Sequence, residues 1–323
     1  MRCAIVGYGF LGRALVKSLR ESYGGRVKVT CIANSRGTLF KEGGVDLNQL
    51  PAELSEAVGF REVSPIDYLD KRWVDVLVEL TPTNVIDGRP GIDYIRAAMR
   101  AGLDVVTANK GPLALAFDEL MREAEDKGVL LRYEATVGGG IPVFTLHRYY
   151  LKSDKLISIR GILNGTSNYI LTRMHFEGMP MDLALEEARM LGIAERDSKL
   201  DTEGIDTAIK SVILANSLLQ AKKRLSDVKI TGINSITLDA IHAAKEMGMT
   251  IKLMGLVEDG KISVEPRLIR LNHPLCVHGT LNAIDIIAEN LGSLTLIGHG
   301  AGKSTVTALL SDLNDIARLK YID

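Results

Sequence analysis

Five carboxylates, Glu195, Asp197, Asp201, Glu203 and Asp206, fall within twelve residues, and Lys210 closes the run as an apolar helical pattern begins. Ile205, Ala208, Ile209, Val212, Ile213, Ala215 and Asn216 recur at helical spacing, so Gly204 is expected to mark the entry to a helix. On that helix Asp206 and Lys210 stand four apart, on one face of its first turns. Two readings follow. In the first the pair is an exposed ion pair worth about 0.3–0.5 kcal/mol. In the second the carboxylates grip an amine or hydroxyl and the lysine moves a proton. A calcium loop fails on register. With Gly204 in the sixth position, Lys199 and Lys210 would take the first and twelfth, where carboxylates are required.

The N-terminal half supplies a frame for redox chemistry. Arg2 to Val6 reads as a short buried strand and runs into Gly7-Tyr8-Gly9-Phe10-Leu11-Gly12, followed by an amphipathic segment to Leu19. A GxGxxG that follows a strand and opens a helix is the dinucleotide-binding pattern. Gly7 permits the tight turn, Gly9 admits a pyrophosphate to the backbone, and Gly12 lets the helix pack on the strand. The helix start, at Phe10 and Leu11, offers amide donors and the positive end of the helix dipole to the phosphates.

A second strand, Val27 to Ala33, ends at Asn34-Ser35-Arg36, where an NAD site usually carries an acidic residue for the ribose hydroxyl. No carboxylate stands there. Ser35 and Arg36 instead suit the 2′-phosphate of NADP, with NAD as the alternative cofactor if Arg36 is only a solvated loop cation. Residues 38–65 read as an irregular covering segment. Strands at Val74–Leu80, ending in Thr81, at Asp104–Thr107, ending near Lys110, and at Val129–Tyr133 alternate with helices at Gly91–Ala101 and from Pro112 to about Lys127. That alternation predicts an α/β, Rossmann-type doubly wound parallel sheet over residues 1–135.

Beyond Glu134 the pattern changes. A strand at Ile157–Leu163 leads into a turn and helix cap at Asn164–Asn168. Helices are expected near 168–177, 181–191 and 205–221. Met249–Val257 and Ile262–Leu271 flank an Asp259-Gly260 hairpin signal. A last strand, Leu294–Ile297, precedes a helix from about Ser304 to Leu319. This predicts a second α+β domain with a mixed sheet over residues 136–299, for substrate binding and dimerisation, while residues from about 300 to 323 complete the first domain. Gly302-Lys303-Ser304 imitates the end of a P-loop, but its first glycine would fall on Ile297, and too little chain remains for a metal-binding strand.

The 323 residues allow two domains, and 46% hydrophobic with 24% charged residues is ordinary for a globular protein. A net charge of −1 gives no global case for nucleic acid or an anionic membrane. Cys3, Cys31 and Cys276 have neither paired nor metal-ligand spacing, and the six histidines show no ligand pattern. No signal peptide opens the chain and no apolar run approaches a membrane span, so a cytoplasmic protein is expected.

Several segments together resemble homoserine dehydrogenase: Gly7–Gly12, Thr107–Pro112, Glu134–Pro142, Asn164–Ile170, Asp201–Lys210, and Gly298–Gly302 with Asp312. They occur in the family's order and cover nearly the whole chain. The resemblance implies NAD(P)-dependent interconversion of L-homoserine and L-aspartate 4-semialdehyde, in the branch leading to threonine and methionine. It implies that Lys210 transfers the proton with Asp206 as its partner. Glu195 would bind the substrate ammonium, Asp201 would be a neighbouring substrate ligand, and Lys110 would bridge cofactor and substrate. Thr81 and Gly300 would lie near the cofactor. Glu134, Val137, Gly139 and Ile141 would form a monovalent-cation site for Na⁺ or K⁺, built from a carboxylate and backbone carbonyls. Members are commonly dimers, so a homodimer is expected, whereas the ACT and aspartokinase domains of longer members are not. Another dehydrogenase of small amino or hydroxy acids, or a catalytically idle nucleotide sensor, stays open as an alternative on the same scaffold.

Overall fold

Arg2–Val6 (β1) is an apolar run with four of its five residues buried, and it sits at the centre of a seven-stranded sheet. The computed structural model describes residues 1–22 and 27–321. The chain divides into two units, Met1–Thr136 joined by the stretch from Gly302 onward, and Val137–Ala301.

In the first unit β1 is followed by α1 (Phe10–Ser22), β2 (Lys28–Asn34), β3 (Gly37–Phe40), β4 (Phe60–Arg61), β5 (Val76–Glu79), α2 (Gly91–Arg100), β6 (Asp104–Thr107), α3 (Lys110–Asp126) and β7 (Leu131–Arg132). The sheet order is β4-β3-β2-β1-β5-β6-β7. Strands β2, β1, β5, β6 and β7 run parallel, which is the expected doubly wound arrangement. Residues 38–65 are not merely a covering segment. Within them β3 pairs antiparallel with β2 and β4 with β3, extending the sheet at one edge. Strands of four and two residues are too short to show a period.

Cys3 and Ile5 of β1 pack with Leu15, Val16 and Leu19 of α1 and with Val306, Leu309, Leu313 and Ile316 of the C-terminal helix. That helix, Ser304–Lys320, is tied to the sheet by two ion pairs, Arg132 to Asp315 at 2.6 Å and Lys320 to Asp104 at 2.6 Å. Asp104 is fully buried, so Lys320 supplies the charge that its burial demands.

The second unit runs α4 (Val143–Tyr149), β8 (Leu156–Ile162), α5 (Gly165–Glu177), α6 (Met181–Met190), α7 (Lys199–Thr202), α8 (Ile205–Leu219), β9 (Val228–Ile230), α9 (Leu238–Glu246), β10 (Met249–Glu258), β11 (Lys261–Arg270), β12 (Leu281–Ala288) and β13 (Gly292–His299); the C-terminal helix is α10. Its six-stranded sheet has the order β13-β12-β8-β10-β11-β9. It is mixed: β9 lies parallel to β11 and the other pairs are antiparallel. The β10–β11 turn places Asp259 at φ 48° and Gly260 at φ 68°, the left-handed pair that an Asp-Gly hairpin requires. Helices α5, α8 and α9 contribute Ile170, Leu171, Ala208, Ile241 and Ala244 to one core with Leu253 and Val264. The strand β12 and helices α4 and α9 carry no clear sequence signal. Six of the eight residues in β12 are buried and the other two, Leu281 and Ile287, are half-buried, so its pattern does not alternate.

Leu309 is fully buried among β1, α1 and α10 side chains. Leu309→Ala is expected to destabilise the first unit by about 2–5 kcal/mol. Denaturant unfolding followed through Trp73, the single tryptophan, measures this, since that residue lies in the same unit.

Candidate active site

The glycine-rich turn of the first unit is shaped as a cradle. Gly7 has φ +110°, and a Cβ there would strike the Leu80 carbonyl. A Cβ on Gly12 would strike the Gly7 carbonyl, whereas around Gly9 there is nothing within 4 Å. The two flanking glycines are therefore demanded by packing and the middle one leaves a space in front of α1, where Phe10 and Leu11 begin the helix. That open space before a helix N-terminus fits a pyrophosphate.

At the end of β2, the Asn34 side chain accepts hydrogen bonds from the amides of Arg36 (2.9 Å) and Gly37 (3.2 Å). Asn34 thus forms the turn that presents Ser35 and Arg36, both exposed. The Arg36 guanidinium lies 3.8 Å from Glu53, which also lies 3.7 Å from Arg13.

The structure adds a residue that sequence reasoning passed over. Glu79, at the end of β5, is fully buried and accepts from the Thr81 amide at 2.8 Å, the Thr81 hydroxyl, Thr107 at 2.9 Å and Asn109 at 3.5 Å. Burial pushes its carboxyl above the usual range, and the four donors oppose that shift. Asn109 in turn caps α3 by accepting from Gly111 at 3.1 Å, so Thr81 and the helix start at Lys110 are anchored on one carboxylate. Its signal, a lone acidic residue ending an apolar strand, was present in the sequence.

In the second unit two carboxylates of the acidic run, Asp201 and Asp206, converge with the lysine. Gly204, at φ +83°, turns the chain into α8, and Asp206 and Lys210 fall on its first two turns. The Lys210 ammonium is 2.7 Å from Asp206 and donates at 2.6 Å to the Leu163 carbonyl. Both side chains belong to residues only 7% exposed. This excludes the exposed ion pair. Asn164 caps α5 by accepting from the Ser167 amide at 2.8 Å, and its amide group donates to Asp201 at 2.6 Å and Asp206 at 2.9 Å. From the sheet, Asn282 of β12 donates at 2.9 Å to the same Leu163 carbonyl that Lys210 uses. The Asn282 side-chain oxygen is buried with no partner among the described residues. Gly300 is packed so closely on Asn282 that a side chain there would collide with it.

Glu195 is not part of this cluster. It lies exposed in the loop between α6 and α7, and no hydrogen bond or ion pair ties it to Asp201, Asp206 or Lys210. Glu134 is buried in a short 3-10 turn of the first unit. In the second unit Gly138 and Gly139 are left-handed, at φ +73° and +59°, and Ile141 follows buried. Among the described residues no group of three or more His, Cys, Asp or Glu could hold a metal ion, and no helix is long and apolar enough to cross a membrane.

A dinucleotide cradle in one unit and a buried lysine–carboxylate cluster in the other define a nicotinamide-nucleotide oxidoreductase of a hydroxyl-bearing substrate. The family model described as homoserine dehydrogenase matches residues 142–313, and that described as homoserine dehydrogenase, NAD binding domain, matches residues 7–134. A homoserine dehydrogenase of Methanocaldococcus jannaschii is 43% identical, covering 97% of each chain. An NAD(+)-dependent homoserine dehydrogenase of Pseudomonas canavaninivorans is 37% identical over 97% of this chain and 95% of its own. The crystal structure of a putative homoserine dehydrogenase from Archaeoglobus fulgidus superposes with a TM-score of 0.90 at 41% identity, covering 98% of this chain and 99% of that one. The chain belongs to the homoserine dehydrogenase family and is an NAD(P)-dependent oxidoreductase.

Asn164 holds two carboxylates and caps a helix at once. Asn164→Ala is expected to cost about 1–2 kcal/mol through the lost cap. It should also lower turnover at least about tenfold by releasing two like charges. Thermal melts and steady-state rates at a temperature where the variant is folded measure the two effects separately.

Proposed function

We propose that the protein interconverts L-homoserine and L-aspartate 4-semialdehyde, with Lys210 as the proton-transfer group. The placement of Lys210 beside Asp206 in a buried cluster carries this reading, because it sets a group able to take or give a proton next to a carboxylate that can orient a hydroxyl. The nicotinamide, when bound, accepts or returns the hydride of the carbinol carbon. In the oxidative direction the neutral Lys210 amine takes the hydroxyl proton; in the reductive direction its ammonium gives one back. Asp206 orients that amine and polarises the hydroxyl. Asp201 lies beside it as a further substrate ligand, while Glu195, from its exposed loop, serves the substrate ammonium. Lys110 and Thr81 are read as cofactor contacts, Lys110 also reaching the substrate, and Gly300 as a glycine near the nicotinamide. The reaction places the enzyme in the threonine and methionine branch of amino-acid biosynthesis, in the cytoplasm.

NADP is the preferred cofactor in this reading and NAD the alternative. The absence of a carboxylate in the Asn34–Arg36 turn supports it. The Arg36–Glu53 contact is a loose surface pair, worth about 0–1 kcal/mol, so a phosphate can displace it. The NAD(+)-dependent Pseudomonas relative favours the second reading, use of both cofactors. A monovalent cation, Na⁺ or K⁺, is proposed at the carbonyls of Val137, Gly139 and Ile141 with the charge of Glu134. Supporting it, the Val137 and Gly139 carbonyls accept no hydrogen bond among the described residues. A homodimer is proposed through the face of the six-stranded sheet that carries Met254, Leu256, Ile287 and Ile297 around the Arg160–Asp285 ion pair. Ile297 is 53% exposed in the single chain.

Lys210→Ala should lower kcat about 10²–10⁴-fold while cofactor affinity stays near wild type. Stopped-flow rates and fluorescence titration with NADPH decide it. Retention of more than about a tenth of wild-type turnover removes Lys210 from proton transfer. For the cofactor, charge-assisted contacts of about 1.5–3 kcal/mol imply a ten- to hundredfold preference for NADP. Arg36→Ala should collapse that ratio in kcat/KM measured with both cofactors. An unchanged ratio assigns the preference elsewhere.

A further inference from the structure

Among the described residues Lys252 of β10 is the largest fully buried side chain, and nothing in the chemistry above uses it. Its ammonium donates to the Asn168 side-chain oxygen at 2.7 Å and to the Thr172 hydroxyl at 3.3 Å, both on α5, and lies 3.4 Å from Nδ1 of His278 in the β11–β12 loop. All three partners are neutral. Among the described residues no carboxylate forms an ion pair with it. An ammonium has three protons to donate; here two face acceptors on α5 and the third lies toward the His278 ring nitrogen of the β11–β12 loop.

Asn168 leads back to the cluster around Lys210. The Asn168 amide donates at 2.9 Å to the Leu281 carbonyl at the start of β12. The next residue, Asn282, donates to the Leu163 carbonyl, the acceptor that Lys210 itself uses. One turn before Asn168 on the same helix, Asn164 holds Asp201 and Asp206. Thr172 closes the loop end by accepting from the Gly279 amide at 3.1 Å.

We propose that Lys252 is a positioning residue for catalysis: its ammonium clamps α5, β10 and the β11–β12 loop together and so holds Asn164 and Asn282 in register with Asp206 and Lys210. The proposal rests on the reading of Lys210 as the proton-transfer group. Burial pushes the Lys252 ammonium down to about 8. The groups that face it are Cys276 and His278 from the loop and His175 from α5, with Lys245 of α9 beyond His175. Arg267 stands opposite it in the β10–β11 register and is paired with Glu265. Burial and the neighbouring lysines hold both His175 and His278 below the usual histidine range, so Lys252 is the cation of the group. A lysine depressed in the folded state is neutral there above about 8, while the unfolded chain keeps its proton to 10.5. The unfolded state then binds more protons, and stability from this group rises over that window.

Lys252→Met and Thr172→Val in the full chain test the proposal. Wild type must first turn over homoserine; if it does not, the functional reading fails and not this one. In Lys252→Met, kcat should fall about 10- to 100-fold, the loss expected when reacting groups shift by a fraction of an ångström to one ångström. KM for homoserine should change less than kcat, NADPH affinity should hold, and between pH 8 and 10.5 the melting temperature of wild type should rise relative to that of the variant. A folded Lys252→Met with kcat within about twofold of wild type overturns the proposal, since a purely structural lysine would cost stability alone. If Lys252→Met does not fold at the assay temperature, Thr172→Val decides. It removes one acceptor and should lower kcat severalfold without moving NADPH affinity, and wild-type kcat there overturns the proposal.

Discussion

An ammonium and a carboxylate 2.7 Å apart, each on a residue only 7% exposed, impose most of what surrounds them in the second unit. Removing both charges from water costs several kcal/mol per ion, and mutual attraction repays this only when the remaining protons and lone pairs are satisfied. The fold meets that condition with two neutral groups: the Leu163 carbonyl for Lys210, and the Asn164 amide for Asp206 and Asp201. Leu163 directly follows β8, Asn164 caps α5, and Lys210 lies on α8, so three elements must meet at one point. Gly204 allows α8 to begin there, with φ +83°, a value that L residues rarely adopt.

The first unit solves the opposite problem. A pyrophosphate brings its own charge and needs unobstructed amides, so the cradle is defined by missing side chains. Gly7 and Gly12 are forced by contacts with Leu80 and with each other, while Gly9 faces open space. Behind it Glu79 buries a carboxylate fully and surrounds it with four donors, fixing Thr81 and the start of α3. Both units therefore place an ionisable group under the loops that do the work, and satisfy it locally.

How far this could be read from the chain follows from the same physics. The glycine motif is legible because backbone geometry alone selects glycine, and because it follows a strand and opens a helix. Asp206 and Lys210 are legible as neighbours because helical spacing is a local rule, and Asn164 is legible as a cap for the same reason. Their burial is not local. Alpha-8 carries apolar residues on nearly every side, so its pattern names a buried helix without naming what meets its first turn. Asn282 and Lys252 act across 119 and 84 positions of sequence, on partners brought in by sheet order, and no spacing rule reaches them. The short strands β3 and β4 were lost because edge pairing in two to four residues leaves no period.

Buried ionisable groups in this protein thus divide by the charge of their partners. Asp104, Asp206 and Asp285 each meet a cation, at 2.6, 2.7 and 2.8 Å. Such pairs are close to neutral in stability once desolvation is counted, and their value lies in fixing geometry. Glu79 and Lys252 meet only dipoles, and burial displaces both toward the uncharged form. A group held that way costs stability at neutral pH, and an apolar side chain of similar volume would cost less. Each of the two stands directly beneath a loop or helix start that serves a site: Glu79 under Thr81 and Asn109, Lys252 under Asn168 and the turn into β12. Hydrogen-bond direction is what an apolar residue cannot supply. Dipoles arranged around a single charge fix the orientation of every group that touches it, and that orientation is what a reacting pair separated by less than 3 Å requires.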